Sequence, residues 1–378
     1  MLRRVLILGA ACASIAFGAA LAAEPIKVGV IFPLSGGAGR QGQEVTKAIQ
    51  AMASMINADG GVLGRPLDIL IRDDESTPAV GVAKANELAS LGVAVVIEGW
   101  NSPVTLAMQP VLARAGVLDI TAISKADQIL TSASNRLAIR LNSSNAQDAH
   151  VIADYLTHKA KLNRIAFVTE NDAYGNGAQA EIEADLKADG SAYRIATVQK
   201  FPFVQTDFRV EITSLQSAKP DGVVVINANE GAGLPAFLQQ YAQAKVGAPL
   251  VCAVGTVSPS VIEAAGPAAN GVVSADIYFP NVEPFASNPV NQRFVAETKK
   301  QFNLVPDKYM ALGAAALQLW AEAANEAKTL DRKTVAEAIR GHVIKDTILG
   351  NAQFAPNGQL QPSYFLFTVQ NEKIIVER

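Results

Sequence analysis

A glycine-rich segment near the start of the chain has the residue types and spacing of a phosphate-binding loop. Gly37, Gly39 and Gly42 match the pattern G-x-G-x-x-G, in which glycines let a backbone approach the pyrophosphate of a dinucleotide. An apolar run over 28–32 precedes them, and an amphipathic helix is predicted over about 43–57. A glycine-rich loop between a strand and a helix is where α/β proteins bind small ligands.

Three observations argue against a nucleotide in this loop. In a dinucleotide-binding unit the first glycine follows the strand at once, whereas four residues separate the apolar run from Gly37. The ribose-binding acid should come about 20 residues later, but Asp73, the nearest acid at a strand end, is 31 positions beyond Gly42. A P-loop requires Lys-Ser/Thr where this chain has Gln43-Glu44. We therefore predict a ligand loop that binds something other than a nucleotide.

Patterns for catalysis or metal binding are scarce in the rest of the chain. The histidines His150, His158 and His342 form no ligand pair with each other or with a cysteine, and no Gly-x-Ser-x-Gly elbow occurs. The pair Asp73-Asp74 has the chemistry of an acid–base pair, but a strand end before a helix over 77–91 is the simpler interpretation. We expect no enzymatic activity, no metal and no cofactor.

The first residues have the pattern of an export signal. A basic start at Arg3 and Arg4 is followed by an apolar stretch over 5–21 and a small-x-small site at 20–22, which together predict a signal peptide over residues 1–23. A membrane anchor is the weaker alternative, because the apolar stretch is short. Cys12 lies inside that stretch, and Gly9 stands where a lipoprotein signal has leucine. We predict a periplasmic location.

Charge, cysteine content and length bound the class of protein. Removal of the two arginines takes the formal charge from −3 to −5, and no basic cluster is present, which argues against nucleic acid as a partner. Only Cys252 remains after cleavage, so we expect no internal disulfide. The mature chain is long enough to bury the cores of two domains.

Strand and helix patterns alternate through the body of the chain, which predicts an α/β fold with parallel sheets and helices on both faces. Further strands are predicted at 67–71, 93–97, 117–121, 164–169, 192–198, 222–226, 249–253, 363–369 and 373–377, and further helices at 105–114, 177–189, 206–217, 233–244 and within 289–340. The segment 164–177 repeats the opening plan of strand, glycine-bearing loop and helix. This repetition predicts two similar lobes, whose helix N-termini suit a ligand carboxylate in a shared cleft.

Motifs spread over the whole mature chain share one family pattern. They are IKVGVIFPLSG at 26–36, INADGGVLGRPL at 56–67, RDD at 72–74, GVLDIT at 116–121, AYG at 173–175, and AGP and NG within 265–271. Together they resemble the leucine/isoleucine/valine-binding family of periplasmic solute-binding proteins of ABC transporters.

The resemblance implies a two-lobed clamshell, each lobe a mostly parallel sheet flanked by helices. Three hinge crossings are expected near 140–143, 274–278 and 349–354, with lobe one over 24–141 plus 277–349 and lobe two over 142–276 plus 350–378. The lobes would close by hinge motion on a small-molecule ligand, and a monomer would deliver it to an inner-membrane ABC permease. Two alternatives remain: a sensor of the same fold that feeds a signalling partner, and an exported α/β hydrolase.

The resemblance also implies ligand contacts at individual positions. A serine that receives the ligand carboxylate matches Ser102, and aromatic contacts match Tyr174 and Tyr309. The full set of expected ligand-binding residues is Arg40, Gln41, Trp100, Asn101, Ser102, Ser124, Lys125, Tyr174, Asn229, Glu230, Val254 and Tyr309.

Two departures from the family pattern bear on the ligand. Val254 occupies the position of the acid that usually binds the ligand's ammonium group, and a buried ammonium without a partner costs on the order of 3 to 5 kcal/mol. Either Glu230 supplies the charge, or the ligand has no ammonium. Lys125 stands where a serine or threonine is usual. Together with Trp100 it favours a carboxylic acid with an apolar or aromatic body, unless Lys125 points to solvent.

Overall fold

The computed structural model describes residues 24–131, 136–190 and 192–377. The predicted signal peptide and Cys12 lie outside the described residues. Among those described, no helix combines the length and the apolar character needed to cross a bilayer.

Strands and helices alternate along the described chain, as the sequence predicts. The strands are β1 (Ile26–Phe32), β2 (Leu67–Asp73), β3 (Val95–Glu98), β4 (Leu118–Thr121), β5 (Ala138–Arg140), β6 (Arg164–Glu170), β7 (Arg194–Phe201), β8 (Gly222–Ile226), β9 (Leu250–Cys252), β10 (Val273–Asp276), β11 (Val343–Thr347), β12 (Gly350–Gln353), β13 (Phe365–Gln370) and β14 (Lys373–Val376). The helices are α1 (Gly39–Ala58), α2 (Pro78–Ser90), α3 (Ser102–Arg114), α4 (Asn145–Asp154), α5 (Ala173–Ala188), α6 (Arg209–Ala218), α7 (Gly233–Ala244), α8 (Pro259–Ala265), α9 (Pro289–Phe302), α10 (Lys308–Ala327) and α11 (Arg332–Ile339).

The first sheet has five parallel strands in the order β2-β1-β3-β4-β5 and forms the centre of lobe one. Strand β1 is apolar and buried on both faces, because α1 and α10 cover one face and α2 and α3 cover the other. Helix α10 is buried along almost its whole length and packs against α1. Two segments distant in the chain therefore complete the core of lobe one.

The second sheet has seven strands in the order β14-β13-β10-β9-β8-β6-β7 and forms the centre of lobe two. Five strands are parallel, and the C-terminal hairpin β13–β14 adds antiparallel to β10. Helices cover both faces, so the prediction of an α/β fold built from mostly parallel, helix-flanked sheets is confirmed.

The packing of the C-terminal third bears on where the chain passes between the lobes. Ile277 and Tyr278 follow β10 of the second sheet but belong to the core of lobe one. The hairpin β11–β12 also lies in that core, together with Phe354 and Leu360. We therefore propose that the third crossing lies between Leu360 and Phe365, later than the predicted 349–354, because a boundary at 349/350 would divide this hairpin.

The glycine-rich segment differs from the predicted loop in one respect. Helix α1 begins at Gly39, so Gly39 and Gly42 lie in its first turn, after a short 3-10 turn over Gly36–Ala38. A Cβ at position 42 would lie 1.8 Å from the carbonyl oxygen of Pro33. Gly42 thus lets the preceding loop fold against the helix.

Candidate functional site

A cavity lined by residues of both lobes lies between them. Most of its walls follow the C-terminal ends of parallel strands, where α/β proteins bind small ligands. The lining residues are Trp100, Asn101, Ser102, Ile123, Lys125, Asn142, Glu170, Asp172, Tyr174, Ala228, Glu230, Thr256 and Tyr309. Because both lobes contribute, the cavity is complete only when they are together.

The N-terminus of α3 faces this cavity from lobe one. Strand β3 ends at Glu98, and the next three lining residues, Trp100, Asn101 and Ser102, turn the chain into the helix. The Ser102 hydroxyl accepts hydrogen bonds from the backbone N–H groups of Lys125 (3.2 Å) and Ala126 (3.1 Å). A helix N-terminus carries partial positive charge and free N–H groups, so this wall suits a carboxylate.

A hydrogen-bonded chain of buried side chains supports the same wall from below. Thr105 donates to Glu98 (2.7 Å), so its 2.8 Å contact with Ser124 is best satisfied by the Ser124 hydroxyl donating to Thr105. Thr121 donates to the other oxygen of Glu98 (2.6 Å). Burial, and next to it the charge of Asp119, raise the pKa of Glu98 well above its ordinary value. Ser124 thus positions the loop and does not line the cavity.

Lys125 extends from lobe one to lobe two. Its ammonium donates to Asp148 on α4 (2.5 Å) and to the carbonyl oxygen of Val254 (2.8 Å), and Tyr364 donates to the second oxygen of Asp148 (3.1 Å). Lys125 is 5% exposed, so the alternative that it points to solvent is wrong. Its charge is already compensated by a protein carboxylate at the edge of the cavity.

Three aromatic side chains form much of the remaining surface. The rings of Trp100 and Tyr309 lie 4.7 Å apart between centroids with an angle of 46° between their planes, and Tyr174 enters from the first turn of α5. The Trp100 indole N–H donates to the carbonyl oxygen of Ala228 across the lobes (3.4 Å). These rings suit an apolar or cationic part of a ligand.

Lobe two contributes three acids to the lining. Glu170 ends β6, Asp172 caps α5 by accepting from the Gly175 N–H (2.8 Å), and Glu230 follows β8. Burial raises the pKa of all three carboxyl groups, most strongly for the two glutamates. Asp172 and Glu230 raise the pKa of Glu170 further, while Lys308 and Tyr309 partly offset the effect of burial on Glu230.

Two residues of lobe one at the start of α10, Lys308 and Tyr309, lie close to Glu230. The Tyr309 hydroxyl has one proton, which it shares between Glu230 and the carbonyl oxygen of Gly255 (2.7 Å). Lys308 donates to the same carbonyl (3.2 Å) and lies 3.9 Å from the centre of the Tyr309 ring. Burial lowers the pKa of Lys308 to about 8. Gly255 of lobe two is therefore an anchor for two side chains of lobe one.

Seven of the predicted site residues line the cavity: Trp100, Asn101, Ser102, Lys125, Tyr174, Glu230 and Tyr309. Their contacts with a ligand stay predictions. Five others do not line it. Besides Ser124, Asn229 donates to the carbonyl oxygen of Phe203 (2.8 Å), and Val254 contributes only its carbonyl, to Lys125.

Arg40 and Gln41 lie on the rim, where the lobes meet, rather than in the cavity. The Arg40 guanidinium contacts Glu44 (3.1 Å) and, across the cleft, Glu263 (3.5 Å). The buried Gln41 amide is 3.5 Å from the Ser260 hydroxyl of lobe two. The physical reason is that α1 already begins at Gly39, so Arg40 and Gln41 belong to its first turn and not to a loop that lines the cavity.

Sequence reasoning missed six lining residues: Ile123, Asn142, Glu170, Asp172, Ala228 and Thr256. A usable signal existed for Glu170 and Asp172, because a strand-end acid and a helix cap beside Tyr174 belong to the loop already singled out. In the described part of the chain no group of three or more His, Cys, Asp or Glu side chains is arranged to hold a metal ion. Cys252 is buried, and burial raises the pKa of its thiol to about 12.

Comparison with known proteins gives one consistent result. The family model described as periplasmic binding protein matches residues 25–373. A Leu/Ile/Val-binding protein homolog of Brucella melitensis is 29% identical over 371 residues, which cover 97% of this chain and 96% of that protein.

Solved structures show the same two-lobed fold. A solute-binding protein of R. palustris in complex with benzoate has a TM-score of 0.83 at 24% identity, covering 93% of this chain and 95% of that one. A branched-chain amino acid transporter substrate-binding protein of Streptococcus pneumoniae in complex with isoleucine has a TM-score of 0.82 at 19% identity, covering 93% and 99%. The resemblance seen in the sequence is confirmed: this chain belongs to the periplasmic binding protein family and is a relative of the leucine/isoleucine/valine-binding proteins.

Proposed function

We propose that the protein is the periplasmic substrate-binding component of an ABC uptake transporter. It captures a small carboxylate-bearing solute, an amino acid or an organic acid, between its lobes and delivers it to a membrane permease. The observation that carries this proposal is the cavity itself, which has a helix N-terminus on one wall, aromatic rings around it and acids opposite. Relatives named as Leu/Ile/Val-binding proteins and neighbours holding isoleucine or benzoate support this class of ligand.

The cavity suits binding better than turnover. The described lining residues include no serine–histidine or cysteine–histidine arrangement, because no histidine or cysteine is among them. The carboxylate of the ligand would lie at the start of α3, near Ser102, and its body against the rings of Trp100 and Tyr309.

A thermal-shift screen tests the proposal. The purified mature protein is mixed with amino acids, aromatic acids and aliphatic acids, with neutral sugars as the control class. A ligand at one hundred times its dissociation constant stabilises by about 2.7 kcal/mol, so a carboxylate-bearing hit should raise the melting temperature clearly. Mass spectrometry of the recovered ligand should show it unchanged. Stabilisation by sugars alone, or conversion of the ligand, would contradict the proposal.

Delivery to a permease and the monomeric state need their own experiments. Deletion of the gene should abolish uptake of the radiolabelled hit by intact cells, and the mature protein should restore it when supplied in the periplasm. Light scattering behind a sizing column should give the mass of one chain with and without ligand. Normal uptake in the deletion strain would favour the sensor alternative.

A further inference from the structure

Two buried acids lie beneath the turn that leads into α3. Glu98 ends β3 and is 0% exposed, and Asp119 lies on β4 and is 1% exposed. In the register of these strands Val96 is opposite Asp119, and Glu98 is opposite Thr121. Alternate side chains of a strand point to the same face, so Glu98, Asp119 and Thr121 share one face of the sheet. Val96 belongs to the core beneath α2 and α3, which places both acids under these helices.

Hydroxyl groups supply the hydrogen bonds that Glu98 needs, whereas Asp119 lacks such donors. Thr121 and Thr105 each donate to a different oxygen of Glu98, at 2.6 Å and 2.7 Å. Among the described residues neither oxygen of Asp119 has a hydrogen-bond partner of good geometry. The charged groups that act most strongly on Glu98 are two further acids, Asp119 and Asp74. Neither of them offsets a negative charge on Glu98.

One proton shared between Glu98 and Asp119 removes this conflict. Two carboxylates that are buried together cannot both carry a charge at little cost, and such a pair titrates as one unit. Burial raises the pKa of both groups, while the Gln109 amide and the Glu98 carboxyl lower the pKa of Asp119 in part. A carboxyl group favours the charge of another one only when it donates its own proton to it. Glu98 is therefore the donor of the pair and Asp119 the acceptor.

The same network extends to the wall of the cavity. Thr105 links Glu98 to the Ser124 hydroxyl (2.8 Å), and the next two backbone N–H groups after Ser124 donate to the Ser102 hydroxyl. Gly99, with a φ of +105°, passes directly over the network. A Cβ there would lie 3.2 Å from the hydroxyl oxygen of Ser124 and 3.3 Å from that of Thr105. Any movement of Glu98 is therefore passed to the turn that begins α3.

We propose that Glu98 and Asp119 hold one proton between them and thereby position the turn before α3 to receive the carboxylate of the ligand. Both are positioning residues, because neither lines the cavity. The inference rests on the proposed function for the carboxylate of the ligand. The shared proton and the order of the turn are properties of the protein without ligand.

Loss of the shared proton should weaken the binding of a carboxylate. It would put two negative charges below a helix N-terminus whose positive potential attracts the ligand. A bound carboxylate conversely favours the protonated pair, so the pair takes up protons on binding and affinity falls as the pH rises through the neutral range. Glu170, Asp172, Glu230 and Lys308 also titrate around the cavity, so the contribution of the pair must be measured as a difference between variants.

Infrared difference spectroscopy tests the shared proton without a ligand. Glu98→Gln keeps the shape of the side chain and gives Asp119 a permanent N–H donor, so Asp119 stays ionised. The spectrum of the parent minus that of this variant at pH 7 should contain the carbonyl band of one buried, protonated carboxyl group. In Asp119→Asn this band should be lost at a lower pH than in the parent, because the negative partner that retains the proton is gone. Absence of the band, or its loss at the same pH in both proteins, would overturn the inference.

Hydrogen exchange tests the connection to the wall. Thr105→Val keeps the shape of the side chain but removes the hydroxyl link to Ser124. The backbone amides of Lys125 and Ala126 should then exchange at least tenfold faster than in the parent at the same pH. Thr298→Val is the matched control, because Thr298 is buried in lobe one on α9, outside the cavity. Unchanged exchange in Thr105→Val would show that the acids do not position the wall.

Calorimetry with isoleucine and benzoate, which solved relatives hold, extends the test to binding. From pH 6 to pH 9 the parent should lose about tenfold more affinity than Glu98→Gln, and it should take up more protons on binding. Glu211→Gln should keep the pH profile of the parent, because Glu211 is buried in lobe two but lies outside the cavity.

Equal pH profiles in the parent and Glu98→Gln would overturn the inference and leave the proposed function standing. Binding of none of the carboxylates in the screen would count against the proposed function itself, and the infrared spectra would still decide whether the proton is shared.

Discussion

The ammonium of Lys125 lies 2.5 Å from a carboxylate oxygen of Asp148, and the pair joins lobe one to lobe two. Both side chains are less than 10% exposed, so the pair is shielded from solvent and from salt. From the sequence, Lys125 is predicted to bind the ligand as a cation. The structure gives it a protein partner, which suggests that it stabilises the closed arrangement of the lobes.

Loss of one partner of this pair should destabilise the closed form. Lys125→Met or Asp148→Asn should each cost about 3 to 5 kcal/mol of the free energy of unfolding, because the remaining group is left buried without its counter-charge. The double variant should lose less than the sum of the two. Chemical denaturation of the three variants checks this. Unchanged stability in Lys125→Met with a selective loss of carboxylate binding would instead support a direct contact with the ligand.

A glycine of lobe two allows the lobes to meet at the rim. A Cβ at Gly231 would lie 2.2 Å from the carbonyl oxygen of Gly37 in lobe one. Gly231→Ala should therefore keep the lobes from closing fully and weaken ligand binding at least tenfold, about 1.4 kcal/mol. Isothermal titration measures the loss, and small-angle scattering should show that ligand no longer compacts the protein.

Gly37→Ala provides a graded comparison at the same contact. Its Cβ would lie 3.0 Å from the side-chain oxygen of Asn229, which can shift by a few tenths of an ångström. We expect a smaller loss of affinity than in Gly231→Ala, with both variants melting near the parent temperature in the absence of ligand. Equal affinity in all three proteins would show that closure does not depend on this contact.

A buried acid in lobe one should make stability depend on pH. Asp119 is 1% exposed, and burial raises its pKa from 3.8 to about 7, although Gln109 and Glu98 lower it in part. Between about pH 4 and pH 7 the folded state holds a proton that the unfolded state has lost. The contribution of Asp119 to the free energy of unfolding is on the order of 2 to 4 kcal/mol. It is therefore greatest below pH 4 and is lost as the pH rises to 7.

Asp119→Asn should reduce the fall of stability with pH by the share that belongs to Asp119, while other buried acids such as Glu98 keep theirs, and it should raise the melting temperature at pH 8 relative to the parent. Asp68→Asn is the matched control, because Asp68 is exposed on β2 of the same sheet. Urea unfolding from pH 4 to pH 8 gives the comparison. A slope as steep in Asp119→Asn as in the parent would contradict the assignment to Asp119.

The ion pair between Arg40 and Glu263 at the rim should contribute little to ligand affinity. Their side chains are 60% and 74% exposed, and exposed ion pairs contribute about 0 to 1 kcal/mol. Arg40→Ala and Glu263→Ala should each change ligand affinity by less than roughly fivefold, and the effect should vanish at high salt. A salt-independent loss beyond tenfold in Arg40→Ala alone would support the role of ligand contact predicted from the sequence.

Most of the fold was readable from the sequence because its elements have strong local patterns. Strands such as β1 and β8 are continuous apolar runs, and α1 has its apolar residues at helical spacing. Short elements were missed for a physical reason. Strand β10 reads Val-Ser-Ala-Asp, which is no continuous apolar run, and it forms by pairing with β13, which is distant in the chain. Strand β5 has only three residues, too few to show a strand pattern in the sequence.

Site residues that lie in one loop were predictable from the sequence. Contacts that form only between separate strands, or between the two closed lobes, were not. Trp100 and Ser102 lie in a single turn at the start of α3, and a motif could identify them. The pKa of Glu170 is affected by Ala228 and Glu230, which follow the neighbouring strand β8, and the partner of Lys125 lies on α4 beyond the hinge. No sequence spacing shows which of these groups face each other.

The C-terminal segments that complete both cores also constrain the order of folding. Phe354 and Leu360 belong to the core of lobe one, and Phe367 and Val369 belong to that of lobe two. A chain that emerges residue by residue, from a ribosome or from an export channel, cannot finish either lobe until its last tenth has appeared. Its early segments would therefore stay incompletely folded while the chain crosses the channel. An incompletely folded chain can still pass through it, and both lobes then fold together.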